Sequence, residues 1–235
     1  MAGMAGMASF HLIRDTSALR AMARLGLDRR LLAAVPGLKF WRLLGTGDGA
    51  STGPGADLHR TALFAVWADQ AAHDAFMATM QQRWPGAAEA WHVGLRAVGG
   101  HGTWRGFDVL GAIERARSSG GPVAIITRAR VTPRAWRRFR TAGVPVDAEL
   151  QTAPGLLAVV GIGEAPLGRL GTFSVWSNLE SVVAFARNGA HHRDVVARTR
   201  AEGWYGEELF ARFEPYNSAG RWDGRDPLAI GTSIP

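Results

Sequence analysis

A pattern that occurs twice constrains the fold of this chain more than any other feature of its sequence. Pro-Gly-Leu at 36–38 returns 118 residues later, Phe-x-Val-Trp at 64–67 returns 109 residues later, and Gly-x-Trp-x-Gly at 102–106 returns 118 residues later. The matches keep their order at nearly constant offset. Self-similarity of this kind indicates that the chain is a tandem duplication.

The same order of secondary-structure elements is predicted for both halves. Apolar alternation and turn residues predict strands at 9–14, 38–44, 62–67 and 92–98, and again at 122–130, 156–162, 171–176 and 208–213. Helices are predicted after Thr16 or Ser17, after Asp69, after Thr132 with Pro133 at the first helical position, and, as one long helix, from near Asn178. A Gly/Ser/Pro-rich loop is predicted at 45–57.

This β-α-β-β-α-β order is that of the ferredoxin-like unit. We expect an α+β fold in which two such units, 1–114 and 122–235, pair sheet to sheet across a linker at 115–121. The result would be a barrel of the dimeric α+β type, whose lumen or flank takes a ligand.

Composition excludes several classes of protein. The chain of 235 residues has no cysteine, which rules out disulfides, thiolate metal sites and iron–sulfur clusters. Its net charge of +7 comes from arginine, since Lys39 is the only lysine, and no nucleic-acid-binding motif accompanies that charge. The N-terminus lacks the pattern of a signal peptide, and no apolar run approaches the roughly 20 residues that span a bilayer. We therefore expect a cytoplasmic protein, either soluble or in peripheral contact with a membrane.

The adjacent histidines His191 and His192 are the candidate ligand residues. In a continuous helix, positions 182, 185, 189, 192, 196 and 199 form one largely apolar stripe. His192 would then point inward and His191 to solvent, and Gly189 would leave open space beside His192, as a flat macrocycle requires. The alternative is a core histidine bonded to a backbone carbonyl. A helix break at Asn188-Gly189 would shift the register.

Two further features stay open at this stage. The arginine-rich segment 128–140 has the pattern of a solvated helix face, but it also suits an acidic redox partner, an anionic lipid or a ligand carboxylate. Arg128 differs from its neighbours because it falls on a predicted strand. Trp204 lies at a helix end, where it lines a pocket or simply packs.

Several motifs together resemble those of the spheroidene monooxygenase family. They are the segments at 39–47 (KFWRLLGTG), 127–129 (TRA), 161–164 (GIGE), 173–176 (FSVW), 203–213 (GWYGEELFARF) and 220–227 (GRWDGRDP), with His192 preceding Trp204 by twelve residues. The resemblance covers nearly the whole chain and is most specific after Thr127.

The resemblance implies an O2-dependent oxygenase of acyclic carotenoids that contains haem b and receives electrons from an acidic, ferredoxin-type donor. It implies His192 as the iron ligand, with His191 as the alternative. Arg128 and Lys39 are candidates to pair with haem carboxylates or stabilise bound oxygen, and Phe185, Val196 and Trp204 are candidates to contact the haem. A homo-oligomer is compatible with it.

Three other functions remain open. One is a haem enzyme with different chemistry, for example a dehydratase, because one fold hosts many reactions. The second is a non-catalytic barrel that binds haem or another hydrophobic ligand. The third is a cofactor-free monooxygenase of similar fold.

Overall fold

A computed structural model describes residues 6–47, 55–80, 84, 86–117, 119–164 and 168–229. In the first half its elements are β1 (Met7–Asp15), α1 (Ala18–Ala33), β2 (Leu38–Gly47), β3 (Ala56–Trp67), α2 (Gln70–Ala78) and β4 (Ala87–Gly102). In the second half they are β5 (Val123–Val131), α3 (Trp136–Gln151), β6 (Leu156–Glu164), β7 (Arg169–Trp176), α4 (Leu179–Asn188), α5 (Ala190–Glu202) and β8 (Tyr205–Gly220).

The eight strands form one closed antiparallel barrel in the order β1-β3-β2-β6-β7-β5-β8-β4. The expected α+β barrel is therefore confirmed. The first half contributes the run β4-β1-β3-β2 and the second contributes β8-β5-β7-β6, which is the same relative order. The halves join where β2 pairs with β6 and where β4 pairs with β8.

The predicted helical regions begin at the predicted capping residues, and three of the four residues cap through their side chains. The side chains of Ser17, Asp69 and Asn178 each accept a hydrogen bond from a backbone N–H in the first helical turn. Thr132 is the N-cap residue of a short 3-10 turn, Pro133–Ala135, with the proline at its start as predicted, but its hydroxyl makes no capping bond and α3 begins after this turn. The central part of the predicted loop at 45–57, residues 48–54, lies outside the described residues.

The barrel lumen is filled by aromatic side chains. Phe10 from one half stacks on Phe173 from the other with ring centres 3.8 Å apart, and Phe64 stacks on Trp104 at 5.1 Å. Trp104 and Trp222 each begin a tight turn that follows the last strand of a half, and both are buried in the same core. Because protein interiors pack to crystal density, these side chains leave little room for a ligand in the lumen.

Helices cover the outer face of each half-sheet, but they cover it differently. In the first half one continuous apolar cluster joins helix and strand residues, including Leu32, Leu63, Trp67 and Phe76. In the second half the corresponding contacts divide into two clusters. No helix in the described part of the chain is long and apolar enough to cross a bilayer.

Candidate functional site

The two outer clusters of the second half define the edges of the candidate site. The Trp176 cluster contains Val123, Ile125, Leu150 and Trp176, with Val182 and Phe185 among the partly buried residues packed on it. The Trp204 cluster contains Val131, Ala135 and Trp204, with Val195 and Tyr205 packed on it. Strand β5 runs from one cluster to the other, and its outward-facing residues between them are Thr127 and Ala129.

The row of paired residues that crosses the space between the two clusters has smaller side chains in the second half than in the first on three of its four strands. In the first half the row reads His92, His11, Leu63 and Leu43 across four neighbouring strands. In the second half the equivalent row reads Phe210, Thr127, Thr172 and Gly161. The equivalence is fixed by the repeat, because Leu63 and Thr172 each precede the Phe-x-Val-Trp motif by one residue.

A second row lies next to the first, and its small members are Ala129 and Gly163. It passes from Ala129 to Leu170 and on to Gly163. A Cβ added at Gly163 would make only ordinary contacts, with Leu170 Cδ2 at 3.4 Å and the Arg169 carbonyl oxygen at 3.7 Å. An added Cβ would therefore touch Leu170 without overlapping it. In the same region the hydroxyl groups of Thr127 and Thr172 form a hydrogen bond, with 2.7 Å between their oxygen atoms.

Helix α5 bridges the two clusters and carries His192 in its first turn. The His192 ring lies 5.1 Å from the Phe185 ring, which lies 5.6 Å from the Trp176 ring. Val195, one turn further on, packs in the Trp204 cluster. His192 is half buried, and its Nδ1 atom is fully buried with no hydrogen-bond partner among the described residues.

The orientation of His192 follows from a break between α4 and α5. Gly189 ends α4 with an extended ψ of 100° and begins α5. The carboxylate of Glu149, from α3, accepts a hydrogen bond from the His192 backbone N–H at 3.2 Å. Glu149 thus supplies the capping acceptor that Gly189, which has no side chain, cannot supply.

Burial lowers the pKa of His192, and the charge of Glu149 and the backbone of Ala186 act against that shift. The imidazole is therefore neutral at physiological pH, which is the form that coordinates a metal.

His191 lies on the other side of α5, as the periodicity predicted. It is exposed in a groove of about 430 Å³ between α3 and α5, which is also lined by Arg137, Arg138, Asp194 and Arg198. A second groove of about 490 Å³ is lined by residues that include Glu149, Phe185 and Gly189.

Arg128 requires a correction. Its side chain points into the barrel, on the opposite face of the sheet from α5, where it donates to Glu207 and, at 3.3 Å, to Glu164 Oε1. Trp104 Nε1 donates to the same oxygen of Glu164 at 2.8 Å, and the Trp104 ring lies 5.9 Å from the Arg128 guanidinium. Side chains alternate faces along a strand, so Arg128 cannot accompany Thr127 to the helical side.

The remaining predicted site residues lie in three different places. Lys39 is exposed on β2 in the first half, whereas the proposed ligand helix α5 belongs to the second half. The break at Gly189 moves the buried side of α5 to Val195, so Val196 is 37% exposed rather than inward. Trp204 is buried at the end of α5 and donates from Nε1 to Glu202 at 2.9 Å.

Sequence reasoning missed the small residues of the floor, Thr172, Gly161 and Gly163. They belong to strand motifs that are unremarkable when each is read alone. A comparison of equivalent positions in the two halves identifies Thr172 and Gly161, because Leu63 and Leu43 stand there in the first half, but it does not identify Gly163, whose equivalent is Gly45.

Comparisons with known proteins identify close relatives. The chain is 36% identical to the spheroidene monooxygenase of Rubrivivax gelatinosus over 81% of its length and 73% of that protein. It is 33% identical to that of Rhodobacter capsulatus, with 88% of each chain covered. It is 32% identical to that of Cereibacter sphaeroides over 83% of its own length, and spans 61% of that relative. No protein-family model matches the chain.

Solved structures share the fold. An aldoxime dehydratase has a TM-score of 0.62 at 12% identity, covering 97% of this chain and 88% of that one. A second aldoxime dehydratase, crystallised with butyraldoxime, has a TM-score of 0.61 at 11% identity, covering 92% and 81%. Similarity at this level of identity extends to the fold alone.

Proposed function

Because the chain belongs to the spheroidene monooxygenase family, we propose that it is a haem-dependent monooxygenase that hydroxylates or ketolates an acyclic carotenoid. It would use O2 and electrons from reduced ferredoxin. The observation that carries this proposal is the pairing of one neutral, half-buried histidine on α5 with a floor of small residues on the sheet beneath it.

The residues of this site fit a haem. Haem iron needs a single protein ligand on one side, and Nε2 of the half-buried His192 imidazole would supply it, because Nδ1 is enclosed by protein and the Ala186 backbone interacts with the ring. Among the described residues no group of three or more metal-binding side chains can hold an ion by itself. A macrocycle that brings its own nitrogen ligands therefore suits this site better than a bare ion.

Each part of the site has a distinct role in the proposed reaction. A bound haem supplies the centre at which O2 is activated. His192 holds that group from the helical side, while Glu149 and the break at Gly189 fix the position of the histidine. On the sheet side the Thr127 and Thr172 hydroxyls form a hydrogen-bonded pair that can hold or pass a proton. The Trp176 and Trp204 clusters flank the space with apolar side chains that exclude water and suit an apolar chain.

The electron donor would dock at the groove between α3 and α5. The arginines of the groove are Arg137, Arg138 and Arg198, and its rim includes the exposed His191. An acidic protein surface is complementary to these charges and is steered toward them at low salt. Docking there would place the donor on the outer side of the helix that carries His192.

The first test is hemin titration followed by visible spectroscopy. We expect the wild-type protein to develop a Soret band, His192→Ala to lose the native axial-ligand spectrum, and His191→Ala, the matched neighbour, to retain it. Absence of any Soret band would refute the haem proposal, and the reverse behaviour of the two variants would assign the ligand to His191.

The second test is turnover. The haem-loaded protein, supplied with O2, reduced ferredoxin and an acyclic carotenoid, should form hydroxylated or keto products. A protein that binds haem through His192 and leaves the carotenoid unchanged would instead favour other haem chemistry or a non-catalytic binding role.

We also infer that the halves 1–114 and 122–235 arose by duplication of a ferredoxin-like unit. Their identical relative strand order and the repeated motifs support this. The second copy would have gained the ligand site by reducing the side chains of one row.

A further inference from the structure

The outward face of α1 carries large apolar side chains that nothing in the described structure covers. Leu19 is 84% exposed, Leu27 is 70% exposed, and Met22 and Leu31 are each 52% exposed. At 3.6 residues per turn they are spread over about half of the helix circumference, with Met22 at one edge and Leu31 at the other. The opposite side of α1 packs against the rest of the protein, where Ala21 and Leu32 are buried.

The charges of α1 are divided between its two sides. Arg24 is buried and pairs with Asp15 at 2.6 Å, and Asp28, the helix's only acidic residue, accepts a hydrogen bond from Trp84 Nε1 at 3.0 Å. Arg20, Arg29 and Arg30 are exposed with the leucines. The solvent-facing side of α1 therefore combines apolar and cationic residues without an acidic one.

The combination of apolar and cationic side chains favours an anionic lipid bilayer over a second copy of this chain as the partner of the exposed face. Contact with the same helix of a second copy would bring arginines close to arginines, which is unfavourable once water is excluded. An anionic bilayer accepts the leucines in its acyl boundary and the arginines among its phosphates. An interfacial helix lies in the plane of the membrane surface with its apolar side chains in the acyl boundary, and arginine stems extend along apolar surface while the charged ends stay at the headgroups.

We propose that the outward face of α1 (Leu19, Met22, Leu27, Leu31, with Arg20, Arg29 and Arg30) is a contact surface for an anionic lipid membrane. It would hold the protein on the bilayer as a peripheral protein. This surface belongs to the first half, whereas His192 belongs to the second, so lipid binding requires neither haem nor catalysis.

Vesicle flotation of the purified full chain tests the proposal. We expect co-flotation with vesicles of phosphatidylcholine and phosphatidylglycerol in equal amounts, and much weaker co-flotation with phosphatidylcholine alone. The variant L19S/L27S/L31S should lose detectable binding. R29Q/R30Q should bind the anionic vesicles about 30-fold more weakly, because each arginine near such a surface contributes about 1 kcal/mol. Val144→Ser, at an apolar residue of α3 that is 64% exposed, is the matched control and should bind like the wild type.

Three outcomes would overturn the proposal. The first is wild-type protein that floats with neither kind of vesicle. The second is equal flotation of L19S/L27S/L31S and wild type. The third is a wild-type dimer in analytical ultracentrifugation that the same substitutions convert to a monomer, since the face would then belong to a second copy. Circular dichroism of each variant verifies that α1 still folds.

Discussion

Glu149 shows how a single side chain on one helix can position the candidate ligand on another. Its carboxylate accepts a hydrogen bond from the His192 backbone N–H. Its negative charge also acts to raise the pKa of the imidazole, against the effect of burial. The two effects can be separated, because glutamine keeps an acceptor oxygen without the charge and alanine keeps neither.

We predict that Glu149→Ala destabilises the start of α5 by about 1 kcal/mol, the usual cost of a lost cap, and that Glu149→Gln recovers most of this loss. Hydrogen exchange of residues 190–193 and thermal unfolding measure the effect. Both variants should lower the pKa of His192 in an NMR titration, since both remove the charge. Glu114→Gln, at an exposed carboxylate of the first half, is the control, and an effect of similar size there would contradict the role given to Glu149.

Gly163 tests the floor of the candidate site. We predict that Gly163→Val leaves the free energy of unfolding nearly unchanged, since the added Cβ meets only ordinary contacts and valine suits a strand. The same variant should lose most hemin uptake, because its side chain fills the space above the sheet. Thr172→Val, which keeps the volume and removes a hydroxyl, should still take up hemin. Normal uptake by Gly163→Val would place the ligand elsewhere.

At the scale of elements, the sequence predicted strands and helices well and their faces less well. Every predicted strand exists, and β3, β4 and β8 are longer than predicted. The predicted apolar stripe through His192 assumes one continuous helix. The helix is divided at Gly189, and as a result the buried side of α5 contains Val195 instead of Val196. Such a break depends on Glu149, which lies 43 residues from His192, and no periodicity within the helix can reveal it. Arg128 differs, because strand alternation assigns its face on β5, but its partners Glu164 and Glu207 lie on two other strands and cannot be read from β5 alone.

The break at Gly189 makes its own prediction. A Cβ at this position would lie 2.8 Å from the Phe185 carbonyl oxygen and 2.9 Å from Glu149 Oε2. Gly189→Ala should therefore destabilise the protein by about 1–3 kcal/mol, as overpacking usually does, and should disturb His192. Gly26→Ala is the matched control. Gly26 lies within α1 with no atom near its missing Cβ, so alanine should stabilise by about 0.5–1 kcal/mol. Denaturant unfolding compares the two, and a stabilising Gly189→Ala would contradict the account of the break.

At the scale of the whole molecule, the repeat was enough to predict a barrel built from two similar halves. It could not predict whether a ligand binds in the lumen or on the flank. That depends on the turns at Trp104 and Trp222, which insert tryptophans into the barrel, and sequence alone does not give the direction of a turn. The two halves also differ in what they bury beneath their helices. The second half has a gap, whereas the first half has a cluster of histidines.

The histidines of the first half give the protein a pH-dependent stability. His11 is completely buried, its Nε2 lies 2.8 Å from the Ser9 hydroxyl, and its Nδ1 has no partner among the described residues. Burial holds its pKa well below the ordinary value, and His73 and His92 lower it further by repulsion. Burial likewise lowers the pKa of His73 and of His92. As the pH falls, the unfolded chain therefore takes up protons at a higher pH than the native protein does.

Native stability should consequently be constant above the unfolded pKa of about 6.5 and fall as the pH drops below it. A histidine that stays neutral in the fold contributes a slope of up to about 1.4 kcal/mol per pH unit. Further loss is expected below about pH 4.5, the ordinary pKa range of a glutamate, since Glu164 and Glu207 also have lowered pKa values.

Urea unfolding at neutral pH and at about one unit below the unfolded histidine pKa measures this slope. His11→Gln should be less stable than the wild type at neutral pH, because it disturbs a packed site, yet it should lose less stability on acidification. His59→Gln, at an exposed histidine, should reproduce the wild-type slope. If His11→Gln and His59→Gln show the same slope, His11 is not kept neutral by the fold, and the acid sensitivity in this pH range must come from His73 or His92 instead.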